Sequence, residues 1–461
     1  MRRFRQNPVA GLHLSELISA LSHALDMTEG QPPGHCIRCC WIGMHLGEQL
    51  GLDEESRWEL YYTLLLKDLG CSSNAARICQ LYGADDLSFK HDFKRVDGSL
   101  AQVASFLISH TGRDAGITEK IRKLATIVSH GDEIATELIT TRCERGSEIA
   151  RNLGFSTTVA EGIYSLDEHW NGAGKPDGLQ GEQIPLFSRI ALLAQVVDVF
   201  HTAAGADAAL AEAREREGRW FDPQLVDALA QVAASPGFWD SLRSETLSRQ
   251  VLSLPPASHE IAVDEDFLDR ISAAFGQVVD AKSPYTAGHS ERVALYTDLI
   301  AERIGLEPTR RRWLKRAALL HDIGKLGVSN SILDKPGKLD DEEWRLVQDH
   351  ARYTEEILSH IGAFSELALV AGAHHERLDG KGYPRGIDGD QISLETRIIT
   401  TADIFDAITA ERPYRGAIPV PQALEMMEEN LHSALDPVCF QALKDALADI
   451  PLTADNLAAV C

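Results

Sequence analysis

The chain has little that would tie it to a bilayer, to the cell exterior or to nucleic acid. In its 461 residues no apolar run approaches the roughly 20 needed to cross a membrane, so membrane insertion is not expected. The opening Met1-Arg2-Arg3-Phe4-Arg5 is basic, but no apolar segment follows it. A signal peptide is therefore not expected, and the cytoplasm is the expected location. Positive charge is scarce: 45 Lys and Arg stand against 69 Asp and Glu, a formal net charge of −24. That balance opposes non-specific binding to DNA or to anionic membrane, although a local basic patch can still hold a small anion. The eight cysteines (36, 39, 40, 71, 79, 143, 439 and 461) make no disulfide framework in a chain of this size, and reduced, mostly buried thiols are expected. Alternating β patterns are scarce as well. Hydrophobic residues at 44% and charged residues at 25% fit a globular protein long enough for two or three domains.

Helical periodicity dominates what is present. Leu299 to Gly305 reads as an amphipathic helix ending at glycine, and Arg312 to Leu320 as another running into His321-Asp322. The expected fold class is all-α. Paired prolines in Leu252-Ser253-Leu254-Pro255-Pro256 suggest a linker at 253–261, dividing the chain into domains at 8–252 and 262–455. The two halves are repeats. Asn171-Gly172-Ala173-Gly174-Lys175-Pro176 matches Asp379-Gly380-Lys381-Gly382-Tyr383-Pro384, Gly34-His35 matches Gly288-His289, and Lys67-Asp68-Leu69-Gly70 matches His321-Asp322-Ile323-Gly324.

The second half carries seven candidate metal donors in order: His289, His321, Asp322, His350, His374, His375 and Asp403. Divalent ions take imidazole nitrogen and carboxylate oxygen, and each ion needs several donors. Seven suffice for two ions sharing a carboxylate, an arrangement that suits hydrolysis of a phosphate ester. Alone, His321-Asp322 fits a helix C-terminal histidine with a capping aspartate as well as it fits a ligand pair. Gly324 is expected to make the turn that returns Lys325 over the site. The run His374-His375-Glu376 with glycines downstream is far more specific, Glu376 and Asp379 being natural acceptors for imidazole N–H groups. Asp403 lies in an apolar helical stretch where a bare carboxylate is costly. Arg412 and Arg415, flanking Pro413 and Tyr414, read either as a phosphate clamp or as an exposed basic turn.

From Asp280-Ala281-Lys282-Ser283-Pro284-Tyr285 to Leu435-Asp436-Pro437 the second half resembles the HD-GYP domain, a class of HD-superfamily phosphohydrolases that cleaves cyclic dinucleotides. The resemblance implies two tandem HD-superfamily helical domains. It implies one metal on His289, His321, Asp322 and Asp403 and another on His350, His374 and His375, with Asp322 bridging. Iron or manganese would be the metal. Relatives with a third metal have a glutamate where this chain has Tyr285, so two ions are expected. Lys325 would contact the scissile phosphate, and Arg412 and Arg415 the phosphates of the dinucleotide. The implied reaction is attack on phosphorus by a hydroxide bridging the metals, converting cyclic di-GMP to linear pGpG. The alternatives are 3′,3′-cyclic GMP-AMP as substrate, or a non-catalytic nucleotide-binding scaffold. A GGDEF-type diguanylate cyclase docking on Gly382-Tyr383-Pro384 is a further implied partner.

In the first half most ligand positions are lost: Lys67, Arg142, Leu166, Asp167 and Gln195 stand where His321, His350, His374, His375 and Asp403 stand in the second. The expectation is a degenerate copy with a regulatory or homodimerising role. Its cysteines read chiefly as core filler, with a soft-metal site at His35 and Cys39 as the other reading.

Overall fold

The computed structural model describes residues 8–96, 99–112, 116–255, 262–411 and 416–449. They form two compact helical units divided between Glu265 and Asp266. The all-α expectation holds with one addition. Pro8–His13 pairs antiparallel with Ala262–Asp264, the one sheet among the described residues. Ala262-Val263-Asp264 is too short to show alternation, and Pro8-Val9-Ala10-Gly11-Leu12-His13 does not alternate apolar with polar residues. Of the expected linker, 256–261 lie outside the described residues.

One described helix, Leu186–Ala204, is long and apolar enough to cross a membrane, which the sequence reading did not single out. It is 72% buried within the fold and packs against the His35–Gln49 helix. Its apolarity belongs to the core of the first unit, where Asp198 and His201 are also buried.

The second unit brings five helices around one point, three by an end and two by a side chain from within the helix. The Glu265–Asp280 helix ends in a carboxylate that accepts from the backbone N–H and hydroxyl of Ser290, fixing the start of the His289–Ile304 helix. Burial pushes Asp280 up to about 6. Gly288, just before that helix, has φ of 69°, a conformation open to glycine without strain. The helix stops at Gly305, as its sequence signalled.

Next, Pro308–Leu320 begins on its proline and ends by presenting His321 and Asp322. A 3₁₀ turn, Ile323–Gly327, then carries Lys325. Gly324 does not have a positive φ here. Its role is close approach: a Cβ on Gly324 would lie 2.0 Å from the His350 carbonyl oxygen. The turn therefore seats directly on the Asp341–Ser359 helix, and the Thr354 hydroxyl ties the two by donating to the His321 carbonyl and accepting from the Gly324 N–H. That helix starts with a reciprocal Asp340–Glu343 cap and buries His350 in its middle. Ser365–Gly372 leads into His374 and His375, and Leu394–Thr409, capped by Ser393, buries Ile398, Ile399, Ala402 and Phe405 around Asp403 and Asp406.

Candidate metal centre

The seven predicted donors converge, and Asp322 stands between two nests. Its Oδ2 lies 3.3 Å from His289 Nε2 and 3.4 Å from His321 Nε2, and Asp403 Oδ1 closes that side at 3.4 Å from His289 Nε2 and 3.8 Å from His321 Nε2. Its Oδ1 faces the other way, 3.4 Å from His350 Nε2 and 3.6 Å from His374 Nε2. The His375 ring lies beside both, with centroids 4.0 Å from His374 and 5.0 Å from His350. His375 is half-buried while its neighbours are buried, so it marks the open edge. Lys325 Nζ donates to Asp322 Oδ2 at the rim.

The imidazoles are aimed by what their outer nitrogens hold. His321 Nδ1 sits 2.6 Å from the Ala318 carbonyl, His350 Nδ1 2.5 Å from that of Val347, and His374 Nδ1 2.7 Å from that of Ala371. A carbonyl only accepts, so each Nδ1 carries the proton, and the Nε2 lone pair points inward. This leaves His350 Nε2 and His374 Nε2 facing each other at 3.2 Å with no proton to share. His321 Nε2 and Asp322 Oδ1 are buried with no hydrogen-bond partner. Buried polar atoms are rarely left so, and converging lone pairs of this kind fit divalent cations. His350, His374 and His375 form one cation-sized group and His289, His321 and Asp322 another.

The charge states agree. Burial lowers His350 to about 4 and His375 to about 3, and pushes His374 well below its ordinary value, so all three are neutral donors. Burial opposes the charge of Asp322, but Lys325, His321 and His289 overcome it and hold the carboxyl well below the usual range. Asp403 is likewise held low against burial, by His321 and His289. His289 behaves differently. Burial disfavours its charge, yet Asp322, Asp406 and Asp403 raise it to about 9. Without metal, its proton shields the carboxylates; a bound cation would take over that task.

Two expectations need correction. Glu376 does not touch an imidazole: its carboxylate accepts from the backbone N–H groups of Arg385 and Ile387 and so fastens the loop around Tyr383. Asp379 is occupied by Arg377. The carbonyls above do the work assigned to them. Tyr383 turns inward, its ring 4.8 Å from that of His375. Arg412 and Arg415 lie outside the described residues.

Sequence reasoning also missed Asp406, whose Oδ2 holds His289 Nδ1 at 2.6 Å while Arg292 Nε holds its Oδ1 at 2.6 Å. The signal was available in the repeat. In the first unit Asp198 holds His35 Nδ1 at 2.7 Å and Arg38 Nε at 2.6 Å in the same way. Asp406→Asn should weaken metal binding by about 10–100-fold, the usual cost of losing a partner behind a metal-bound histidine. Titration of the stripped protein with Mn²⁺ measures this, and unchanged affinity would remove Asp406 from the centre.

The first unit keeps the frame and fills the middle with its own cations. Lys67 Nζ lies 3.2 Å from His35 Nε2, 3.2 Å from Gln195 Oε1, and bonds Asp68. Arg142 pairs with Asp167 at 2.5 Å and Lys94 with Glu29 at 2.8 Å. His35, Cys39 and Asp198 do lie within reach of one cation, but both His35 nitrogens already have partners, Asp198 on Nδ1 and Lys67 on Nε2, and burial pushes the Cys36 and Cys39 thiols up. All seven described cysteines are free.

A family model described as an HD domain matches residues 122–225 and 274–438, in both units. The chain belongs to the HD-domain family. HD domains are metal-dependent hydrolases, in keeping with the donor groups just described. This HD-domain protein is 60% identical to the 3′3′-cGAMP-specific phosphodiesterase 3 of Vibrio cholerae over 438 residues, 95% of each chain. It is 36% identical over 208 residues to the cyclic di-GMP phosphodiesterase response regulator RpfG of Xanthomonas campestris, covering 44% of this chain and 54% of that one. A crystal structure of a cyclic GMP-AMP-specific phosphodiesterase from V. cholerae superimposes with a TM-score of 0.66 at 55% identity, covering 95% of this chain and 98% of that one.

Proposed function

We propose that the second unit is a metal-dependent phosphodiesterase acting on a cyclic dinucleotide, with 3′,3′-cyclic GMP-AMP the favoured substrate. The observation that carries the reaction class is Asp322, one buried carboxylate facing a different set of imidazole nitrogens with each oxygen. His289, His321 and Asp403 would hold one divalent ion and His350, His374 and His375 the other, with Asp322 shared. When bound, such a pair lowers the pKa of water and draws charge from the phosphoryl oxygens. The chain's own groups do the rest. Carbonyls 318, 347 and 371 keep the nitrogens deprotonated toward the centre. Lys325, at the rim on Asp322, is placed to meet a phosphoryl oxygen and offset the charge that builds there. The ester opened in this way gives a linear dinucleotide.

Cyclic GMP-AMP is preferred because the cGAMP-specific relative matches both units at 60%, whereas RpfG matches only part of the chain. Cyclic di-GMP, the first expectation from the sequence, is the other candidate, supported by cyclic di-GMP phosphodiesterases that match less than half of the chain. Full-length protein reconstituted with Mn²⁺ or Fe²⁺ should convert one cyclic purine dinucleotide to its linear form, with the highest kcat/KM for 3′,3′-cyclic GMP-AMP. Binding without turnover of 3′,3′-cyclic GMP-AMP, cyclic di-GMP or cyclic di-AMP would overturn the enzyme reading and leave a nucleotide-binding scaffold.

A further inference from the structure

Beside Lys325 the second unit has a cavity of about 190 Å³ that the metal chemistry does not use. Tyr285, Ile332, Leu333, Leu339 and Val347 line it together with Lys325 itself and the polar Lys282, Ser283, Thr286 and Asp334. Pockets enclosing drug-sized ligands run to about 300–1,000 Å³, so this one suits a single ring system. A lining of apolar side chains interspersed with hydrogen-bonding groups suits a heterocyclic base. Two of these groups are fixed in place: Ser283 Oγ donates to Asp334 Oδ1 at 2.6 Å, and Asn330 Nδ2 donates to Asp334 Oδ2 at 2.8 Å.

The first unit supplies the second observation. The counterparts of Lys282, Ser283 and Lys325 there are Thr28, Glu29 and Cys71, and the space beside them is plugged. Lys90, buried, donates to the Thr28 carbonyl at 3.1 Å and the Cys71 carbonyl at 2.7 Å, and Lys94 closes on Glu29. The unit whose donors are lost has its cleft filled; the unit whose donors are complete has it open.

We infer that this cavity receives one purine base of the dinucleotide while the adjoining phosphate lies at Lys325, with Tyr285 providing a ring face for stacking. The inference rests on the proposed phosphodiesterase function.

The test compares two substrates. Wild-type turnover of the cyclic dinucleotide is measured first, so failure of the proposed function shows there. Tyr285→Ala and Leu339→Trp are then assayed on the dinucleotide and on methyl p-nitrophenyl phosphate, a phosphodiester without a base. Losing a stacked base, or blocking its place, should raise KM for the dinucleotide roughly tenfold or more. The ratio of kcat/KM between dinucleotide and base-free diester should fall with it. An unchanged dinucleotide KM in both variants overturns the assignment. An equal fall toward both substrates in both variants overturns it as well.

Discussion

Asp322→Ala is expected to abolish dinucleotide hydrolysis and to empty both cation nests together. Each nest owes one of its anionic oxygens to this side chain, Oδ2 toward His289 and His321 and Oδ1 toward His350 and His374. Truncation leaves the second nest with imidazoles alone and the first with Asp403 as its sole carboxylate. Charge stabilisation of several kcal/mol at the phosphoryl oxygens goes with the ions, a fall in turnover of about 10³-fold or more. Lys325 also loses its partner, so the residual site repels cations. Metal analysis and turnover of the same preparation check this, with circular dichroism confirming the helical fold. A variant that keeps two ions per chain, or turns over within about tenfold of wild type, would show that Asp322 does not bridge.

The second large effect is expected from a residue with no functional group. Gly324→Ala places a methyl 2.0 Å from the His350 carbonyl oxygen and 2.7 Å from the Thr354 backbone nitrogen, both within the same helix. Backbone cannot rotate aside as a side chain does, so either the turn or the helix must move. Overpacking of a close-packed interior costs about 1–3 kcal/mol, and contact with backbone puts this case at the upper end or beyond. The displaced pieces carry Asp322 and Lys325 on one side and His350 on the other, so metal affinity falls along with stability. Gly70→Ala makes the same clash in the first unit, 1.8 Å from the Arg142 carbonyl oxygen. It should destabilise that unit and leave the donor geometry of the second alone. Denaturant unfolding combined with Mn²⁺ titration separates the two. Wild-type metal affinity and unfolding midpoint in Gly324→Ala would contradict the close-packing account.

The donor set was legible because ligand chemistry demands residue types that local sequence displays: His321 beside Asp322, His374 beside His375, and a carboxylate in an apolar helix at Asp403. The helix end at Gly305 was legible for a similar reason, since glycine acts through its own backbone, whereas the next helix was read from Arg312 and in fact begins at Pro308. Long-range partners were harder to see. Glu376 looked like an imidazole acceptor from its position beside two histidines, but the imidazoles take carbonyls of their own helices instead. Gly324 looked like a turn residue, and its reason lies in a helix 26 positions further on. Asp406 could have been found by laying the two halves side by side, because Asp198 repeats the pairing with histidine and arginine. The repeat also explains what the lost ligands became. A lysine at position 67 does more than repel a metal; its ammonium stands among His35, Asp68 and Gln195 as a resident cation.

The central claim is a two-cation centre bridged by Asp322 in the second unit, with none in the first. Stepwise return of Mn²⁺ to chelator-stripped, full-length protein, with turnover read after each addition, tests it most directly. Activity is predicted to rise to a plateau at two equivalents per chain. A plateau at one equivalent, or full turnover before any metal is added, would contradict it.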